Sequence, residues 1–263
     1  MDRQERKALE FQALHAGDPF VMPNPWDAGS ARVLAALGFK ALATTSAGLA
    51  FTLGRLDGSA TLDEVVAHAG VIDGATDLPL SVDLENGYGA DPESAARAIL
   101  LVAEAGAVGG SIEDYDPAGH LYGLSQAVER VAAAAEMAHG FAFPFMVTAR
   151  AENHIRGNPD LDDTITRLQA FEKVGADVLY APGLRSIQES ETVCQAVSKP
   201  VNVLARLSEL SVDEMVAAGA QRISVGGGFA WVAINALVEA ATAIRDTGDL
   251  SSLAIELPLN DWL

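Results

Sequence analysis

The fold is decided by the stretch Val174-Gly175-Ala176-Asp177-Val178-Leu179-Tyr180-Ala181-Pro182, in which a helix ends in glycine and a short apolar strand follows at once. A glycine fits this place because a helix C-terminus needs a residue in the left-handed conformation. The same unit recurs along the chain and predicts alternating helices and strands. Its other clear copies are Ala36-Leu37-Gly38-Phe39 before 41–46, Glu104-Ala105-Gly106-Ala107 before 110–114, and Ala218-Gly219-Ala220-Gln221 before 222–227.

Four more strand candidates lie between these copies, and each precedes a helical stretch. Continuous apolar runs indicate strands that are buried on both faces, as in a parallel sheet covered by helices. The pattern predicts an α/β fold, a single (β/α)8 TIM-type barrel formed by residues 1–263. A doubly wound open sheet is the alternative, but no Gly-x-Gly-x-x-Gly follows the first strand. The four candidates are 20–23, 80–85, 145–150 and 201–205.

The composition limits the class of partner and the compartment. The chain has 263 residues and 36 acidic against 17 basic side chains, a net charge of −19. This charge disfavours nucleic acid and anionic membrane surfaces, whereas a small anionic substrate remains open because one arginine or divalent cation reverses the local field. The lone Cys194 permits no intramolecular disulfide, and residues 1–7 lead into no apolar run. We therefore expect a cytoplasmic location.

Acidic residues follow two neighbouring strands at the end of the barrel where function resides. Asp83 and Glu85 are two apart on one strand and point to one side, and Glu113 closes the next strand. Three carboxylates at one mouth raise one another's pKa or hold a cation, and oxygen ligands suit Mg2+ or Mn2+. The alternative is that these acids are ordinary solvated strand ends.

Other chemistries are disfavoured or left open. The five histidines show no close ligand spacing, which disfavours zinc, and Cys194 lies on a predicted helix as an apolar filler. Gly226-Gly227-Gly228 is either an anion cradle or a tight turn. No lysine ends a strand, so a Schiff-base aldolase lacks its nucleophile. The lysines are Lys7, Lys40, Lys173 and Lys199.

These residues resemble the phosphoenolpyruvate mutase and isocitrate lyase superfamily. The similarity runs from 24–32, Asn-Pro-Trp-Asp-Ala-Gly-Ser-Ala-Arg, through 53–58 to the later strands. The family's most specific signature is Asp-x-Asp-x-Gly-Tyr-Gly after strand three, which stands here as Asp83-Leu84-Glu85-Asn86-Gly87-Tyr88-Gly89. The resemblance implies a Mg2+-dependent barrel enzyme that assembles as a homo-oligomer, a tetramer whose subunits exchange the C-terminal helix. The apolar end, 253–263, is compatible with docking on a partner subunit or on its own barrel.

The resemblance also assigns the metal site. Asp83 is expected to bind Mg2+ directly and to contact the substrate. Asp57, Glu85 and Glu113 are expected around the ion, mostly through water. Glu85 departs from the commoner aspartate and adds a methylene.

The substrate site follows from the same resemblance. Ser46, Ala47 and Gly48 are expected to hold the carboxylate and oxo group of the substrate. Arg150 is expected to be catalytic and to neutralise the negative charge that develops on an enolpyruvate-like anion.

The gate segment, residues 115–122, departs from the family pattern. It contains neither the Lys-Lys-Cys-Gly-His run of the isocitrate-type lyases nor the lysine and asparagine of phosphonate-forming mutases. We therefore hypothesise C–C cleavage of a small 2-oxo or 2-hydroxy dicarboxylate, with His120 or Tyr122 as catalytic proton donor. The alternatives are a phosphonomutase that acts on a P–C bond, a non-catalytic barrel that binds a 2-oxo acid, and a metal-free phosphate-binding barrel.

Overall fold

The computed structural model describes residues 1–205 and 210–263. Within them, eight parallel strands form one sheet in the order β1-β8-β7-β6-β5-β4-β3-β2. The N–H of Ala43 donates to the carbonyl of Pro23 at 3.1 Å and brings β2 against the end of β1. The predicted (β/α)8 barrel is confirmed. The strands are Phe20–Met22 (β1), Leu42–Ala43 (β2), Leu80–Asp83 (β3), Gly109–Glu113 (β4), Met146–Arg150 (β5), Val178–Tyr180 (β6), Val201–Leu204 (β7) and Arg222–Ser224 (β8).

Helices alternate with these strands and cover the barrel. The gate segment forms a small antiparallel hairpin of Tyr115–Asp116 and His120–Leu121. A short 3-10 helix spans Ser251–Leu253. The α-helices are Arg3–Ala16 (α1), Ala28–Ala36 (α2), Ser46–Thr52 (α3), Leu62–Ala75 (α4), Pro92–Glu104 (α5), Leu124–His139 (α6), Leu161–Lys173 (α7), Ile187–Ala196 (α8), Val212–Ala217 (α9), Gly228–Thr247 (α10) and Leu259–Trp262 (α11).

Glycines end the helices of the repeating unit, as the sequence predicts. Gly38, Gly106, Gly175 and Gly219 have φ of 89°, 104°, 108° and 99°. A side chain is strained in this region, so glycine allows each chain segment to turn directly from a helix into the next strand.

Seven of the eight strands end one to three residues earlier than predicted, and two of these ends have a clear local reason. The side chain of Thr45 accepts the N–H of Gly48 at 3.3 Å, and this cap starts α3 at Ser46. The strand β3 ends at Asp83, since Glu85 has a φ of 47° that an extended strand does not permit. Both early ends place backbone turns at the mouth of the barrel.

The helix α1 closes the amino end of the barrel. Phe11 is fully buried beneath the strands, and the buried Lys7 pairs with Asp73 of α4. The interior above α1 is polar for a barrel core. Five inward-facing strand positions carry buried polar side chains, namely Ser81, Thr148, Asn202, Arg222 and Ser224.

The last helices lie on the outside. Ala230 is the one buried residue among the 20 of α10. The chain then returns to its own barrel, where Nη1 of Arg32 on α2 donates to the carbonyl of Leu263 at 2.7 Å. No helix in residues 1–205 and 210–263 has the length and apolarity needed to cross a bilayer.

Candidate active site

A cavity of about 440 Å³ opens at the carboxyl ends of the strands. All eight strands, or the loops that follow them, contribute to its wall. This is the end at which barrel enzymes hold their functional groups. Its lining includes Asn24, Ser46, Ala47, Asp57, Ser81, Asp83, Arg150, Tyr180, Asn202, Arg222, Ser224 and Trp231.

Asp83 is fixed at the rim by contacts from three sides. Its backbone N–H donates to the hydroxyl of Thr44 at 2.8 Å. Its carboxylate accepts the N–H of Ser46 at 3.1 Å on Oδ2 and pairs with Nη1 of Arg150 at 2.8 Å on Oδ1. The predicted metal ligand, the predicted substrate loop and the predicted arginine are therefore brought together.

Arg150 lies among three carboxylates. Besides Asp83, its Nη2 is 3.0 Å from Oε2 of Glu113 and 2.8 Å from Oε1 of Glu152. Burial would lower the pKa of Arg150, but Glu152, Glu113 and Asp83 together raise it well above its ordinary value. The guanidinium, which also lies 5.4 Å from the ring centre of Tyr180, stays a permanent cation on the cavity wall.

A second arginine connects this cluster to the gate segment. Nη2 of Arg156 is 3.1 Å from Oε1 of Glu113, and its Nε is 3.2 Å from Oε2 of Glu152. The guanidinium also lies 3.9 Å from the ring centre of Tyr115. Burial raises the pKa of Glu113, and Arg150 and Arg156 oppose this shift.

Glu85 is held in an unusual backbone conformation beside the rim. Glu85 and Tyr88 have φ of 47° and 61°, which residues with side chains seldom adopt. The Tyr88 hydroxyl donates to Oε1 of Glu85 at 3.2 Å. Burial, then Asp83 and Asp57, raise the pKa of Glu85 to about 7. This crowding of negative charge is the condition that a bound cation relieves.

The predicted cluster of carboxylates around one ion is not formed in the described residues, so Asp83 alone is placed to hold an ion directly. In the parts of the chain that the structure describes, no three His, Cys, Asp or Glu side chains are grouped closely enough to coordinate one ion together. Asp83 and Asp57 line the cavity, whereas Glu85 and Glu113 lie beside it. Oxygen donors at such spacing suit an ion that keeps several waters, as Mg2+ does.

The predicted substrate loop is partly at the cavity. Ser46 and Ala47 line it, and Gly48 is buried behind them. A Cβ at Gly48 would lie 2.6 Å from Cγ2 of Thr45 and 2.9 Å from Cβ of Trp26, so glycine lets these segments approach. Gly48 thus supports the loop from behind.

The glycine run after β8 forms a tight turn. The N–H groups of Val225 and Gly226 donate to Oδ1 of Asn24 at 3.0 and 2.9 Å. The N–H of Gly228 donates to the carbonyl of Val225 at 3.0 Å. These three donors are used within the protein, which favours the turn over the anion cradle.

The two predicted proton donors occupy different environments. His120 is exposed on the gate segment. Tyr122 is buried, and its hydroxyl accepts from Nδ2 of Asn86 at 3.0 Å. Neither residue contributes to the cavity wall as the structure describes it.

Sequence reasoning missed Glu152, Arg156 and Arg222. Glu152 follows Arg150 by two positions, the same spacing that drew attention to Asp83 and Glu85. A charged residue inside an apolar strand, as Arg222 is in β8, was a further available signal. Cys194 lies in α8 as expected, and burial raises the pKa of its thiol to about 11.

A polar cavity with paired acids and arginines thus lies at the carboxyl ends of eight parallel strands, where barrel enzymes hold their active sites. The family described as phosphoenolpyruvate phosphomutase matches residues 11–245. The chain therefore belongs to the phosphoenolpyruvate mutase/isocitrate lyase superfamily.

Relatives with different activities share this fold. A Burkholderia cenocepacia J2315 structure, provisionally named a lyase/mutase, is 48% identical with a TM-score of 0.96, and the match covers 99% of this chain and 97% of that one. An oxaloacetate decarboxylase of Marinomonas sp. MWYL1 is 31% identical over 85% of this chain and 80% of its own. A 2-methylisocitrate lyase of Halalkalibacterium halodurans is 30% identical over 82% and 72%.

Proposed function

We propose that this protein is a Mg2+-dependent enzyme that cleaves a C–C bond of a small 2-oxo or 2-hydroxy dicarboxylate through an enolpyruvate-like intermediate. The observation that carries the proposal is the junction at the cavity rim, where Asp83 meets both Arg150 and the N–H of Ser46. An acid able to hold a cation and a permanent guanidinium thus border the same space.

Asp83 would hold the ion directly, and Asp57, Glu85 and Glu113 would reach it through water. Mg2+ is the proposed ion, and Mn2+ is the alternative with the same preference for oxygen ligands. When bound, the ion supplies positive charge beside the oxygens of a 2-oxo acid.

Arg150 supplies the second positive charge. It is held by three carboxylates and therefore needs little reorganisation when negative charge develops on the substrate. Ser46 and Ala47 would position the substrate carboxylate, while Tyr180 limits the space beside the guanidinium.

We propose His120 as the proton donor. Its ring is exposed on the gate segment and makes no hydrogen bond with the described residues, whereas the hydroxyl of Tyr122 is buried and bonded to Asn86. Histidine is also the side chain that most often serves as a general acid or base in enzymes.

The names of the relatives support C–C cleavage, because oxaloacetate decarboxylase and 2-methylisocitrate lyase both name reactions of that type. A phosphonomutase is the second candidate, supported by a solved Burkholderia cenocepacia J2315 structure provisionally named a phosphonomutase, 35% identical. A non-catalytic barrel that binds a 2-oxo acid is the third, and the altered gate segment motivates it.

Steady-state assays separate the three candidates. Oxaloacetate, a series of alkylmalates and phosphonopyruvate are tested with Mg2+ and with chelator. Metal-dependent release of a C–C cleavage product supports the proposal, and turnover of phosphonopyruvate alone supports the mutase. Calorimetry that detects Mg2+-dependent binding without any product supports the non-catalytic barrel.

We further propose a homo-oligomer, with a tetramer that exchanges α10 as the specific form. Val232, Leu237 and Val238 on α10 are 68%, 65% and 54% exposed, whereas an outer helix of a barrel normally buries its apolar face. Trp231 belongs to both this face and the cavity wall, so a neighbouring subunit would border the site. The net charge of −19 supports the absence of nucleic acid and membrane partners.

A further inference from the structure

A second arginine of the cavity wall lies deep in the barrel, below the rim. Arg222 on β8 is only 3% exposed, yet it borders the same cavity as Asp83 and Arg150. It is the first residue of β8, at the end of the strand opposite to the rim. The cavity therefore extends from one guanidinium at the rim to another at the floor.

The floor arginine is held by three neutral acceptors. Its Nε donates to Oδ1 of Asn202 at 2.8 Å, and its Nη2 donates to the hydroxyl of Thr148 at 3.0 Å. Its Nη1 is 3.3 Å from Nε2 of His15. Nδ1 of His15 lies 2.8 Å from the carbonyl of Phe11, so the proton sits on Nδ1 and Nε2 is the acceptor.

No carboxylate in residues 1–205 and 210–263 lies within ion-pair distance of Arg222. Among the other cations of the described residues, the buried Arg130 also lacks a carboxylate and donates instead to the backbone carbonyls of Gly89 and Asp91, whereas three more pair with acids. Arg150 meets three acids, Arg167 meets two, and Lys7 meets Asp73. A guanidinium carries five N–H donors, of which three are used here.

An isolated buried charge is unfavourable unless something compensates it. Burial lowers the pKa of Arg222 to about 9, and Tyr180 opposes this only in part. The polar side chains of Ser81, Asn202 and Ser224 line the space that leads to it. The floor therefore combines a fixed cation, unused donors and access from the cavity.

We propose that Arg222 is a second anion-binding group of this cavity and takes the far carboxylate of a dicarboxylate whose other end lies at Asp83 and Arg150. The placement of that other end rests on the proposed function. The floor site itself depends on the geometry of Arg222 alone. The second carboxylate gains charge-assisted hydrogen bonds from Arg222. We therefore expect dicarboxylates to bind more tightly than monocarboxylates of equal length.

Calorimetry with unreactive acids tests this without any turnover. Succinate, glutarate and adipate are each compared with the monocarboxylate of the same chain length, in the presence of Mg2+. The wild type should bind at least one diacid about ten-fold more tightly than its partner monoacid. Since these acids cannot react, the result is independent of whether the protein proves to be a lyase.

Three variants locate the effect. Arg222→Met removes the charge, Arg222→Lys keeps it, and Asn202→Asp places an internal carboxylate on the guanidinium with little change of shape. The diacid preference should fall to near parity in Arg222→Met and Asn202→Asp and persist in part in Arg222→Lys. If Arg222→Met does not fold, the diacid preference of Asn202→Asp tests the proposal, because the new ion pair in that variant compensates the buried charge. A wild type without diacid preference, or a preference that survives in Asn202→Asp, overturns the proposal.

Discussion

Nη1 of Arg150 lies 2.8 Å from Oδ1 of Asp83 at the rim of the cavity. The acid proposed to hold the ion and the arginine proposed to stabilise negative charge are thus direct partners. Each therefore influences the other, because the guanidinium balances the carboxylate until a cation and a substrate share that task.

Replacement of Arg150 should affect both turnover and stability. Arg150→Met leaves Asp83, Glu113 and Glu152 without their shared cation, so we expect a loss of about 3–5 kcal/mol in the free energy of unfolding. Turnover should fall by about 10²–10³-fold, as when one transition-state donor is removed. Urea denaturation and steady-state assays measure the two effects. Arg150→Lys is the control and should retain more of its stability than of its activity. An Arg150→Met variant with full activity would refute the proposed role of Arg150 in stabilising negative charge on the substrate.

The two proton-donor candidates give opposite expectations. His120→Gln should lower turnover by about 10²-fold, the low end of general acid catalysis. Tyr122→Phe removes a buried hydroxyl that accepts from Asn86, so it should lower stability by about 1 kcal/mol and leave turnover within a few-fold. Parallel kinetics and thermal melts of the two variants compare them, and a larger loss of turnover in Tyr122→Phe would reverse the assignment.

The buried His15 makes the free energy of unfolding depend on pH. Burial, and then the charge of Arg222, lower the pKa of His15 to about 3. The unfolded chain takes up a proton at about pH 6.5 and the folded protein does not, so the free energy of unfolding falls as the pH drops from 6.5 towards 3. Between pH 7 and 5 this contribution is about 2 kcal/mol. Urea denaturation of His15→Gln should show a pH dependence reduced by that amount, and equal slopes for both proteins would contradict it.

The exposed face of α10 predicts self-association. Light scattering after size exclusion should give about four times the chain mass of 27.4 kDa. Leu237→Glu places a charge on this face, where Leu237 is 65% exposed, and should yield smaller species that remain folded. Glu129→Gln, on the exposed side of α6, serves as the control. A monomeric wild type would remove the basis for the assembly.

The barrel could be predicted because its signals are local. Each strand is an apolar run, and the glycines at 38, 106, 175 and 219 mark where a helix turns into a strand. The acids of the rim could be predicted for a related reason, since parallel strands all end on one side. Asp83, Glu113 and Arg150 therefore meet although they come from three separate strands.

The contacts of loops could not be predicted in the same way. Arg156 reaches Glu113 and Tyr115 only because the loop after β5 folds back over β4, and no periodicity encodes that path. Tyr122 belongs to the gate segment by sequence, yet it is buried, since its ring lies against the guanidinium of Arg130, 4.5 Å away. Side-chain burial in such loops depends on partners that are distant along the chain.

We propose above all that Asp83 holds a divalent ion at the rim of this cavity. Titration calorimetry with Mg2+, repeated with Mn2+, measures this directly on the wild type, on Asp83→Ala and on Asp162→Ala, an exposed acid of α7 that serves as the control. We predict one ion for each wild-type chain, unchanged affinity in Asp162→Ala, and binding at least about ten-fold weaker in a folded Asp83→Ala. Equal affinities in the wild type and Asp83→Ala, or no binding to the wild type, would contradict the claim.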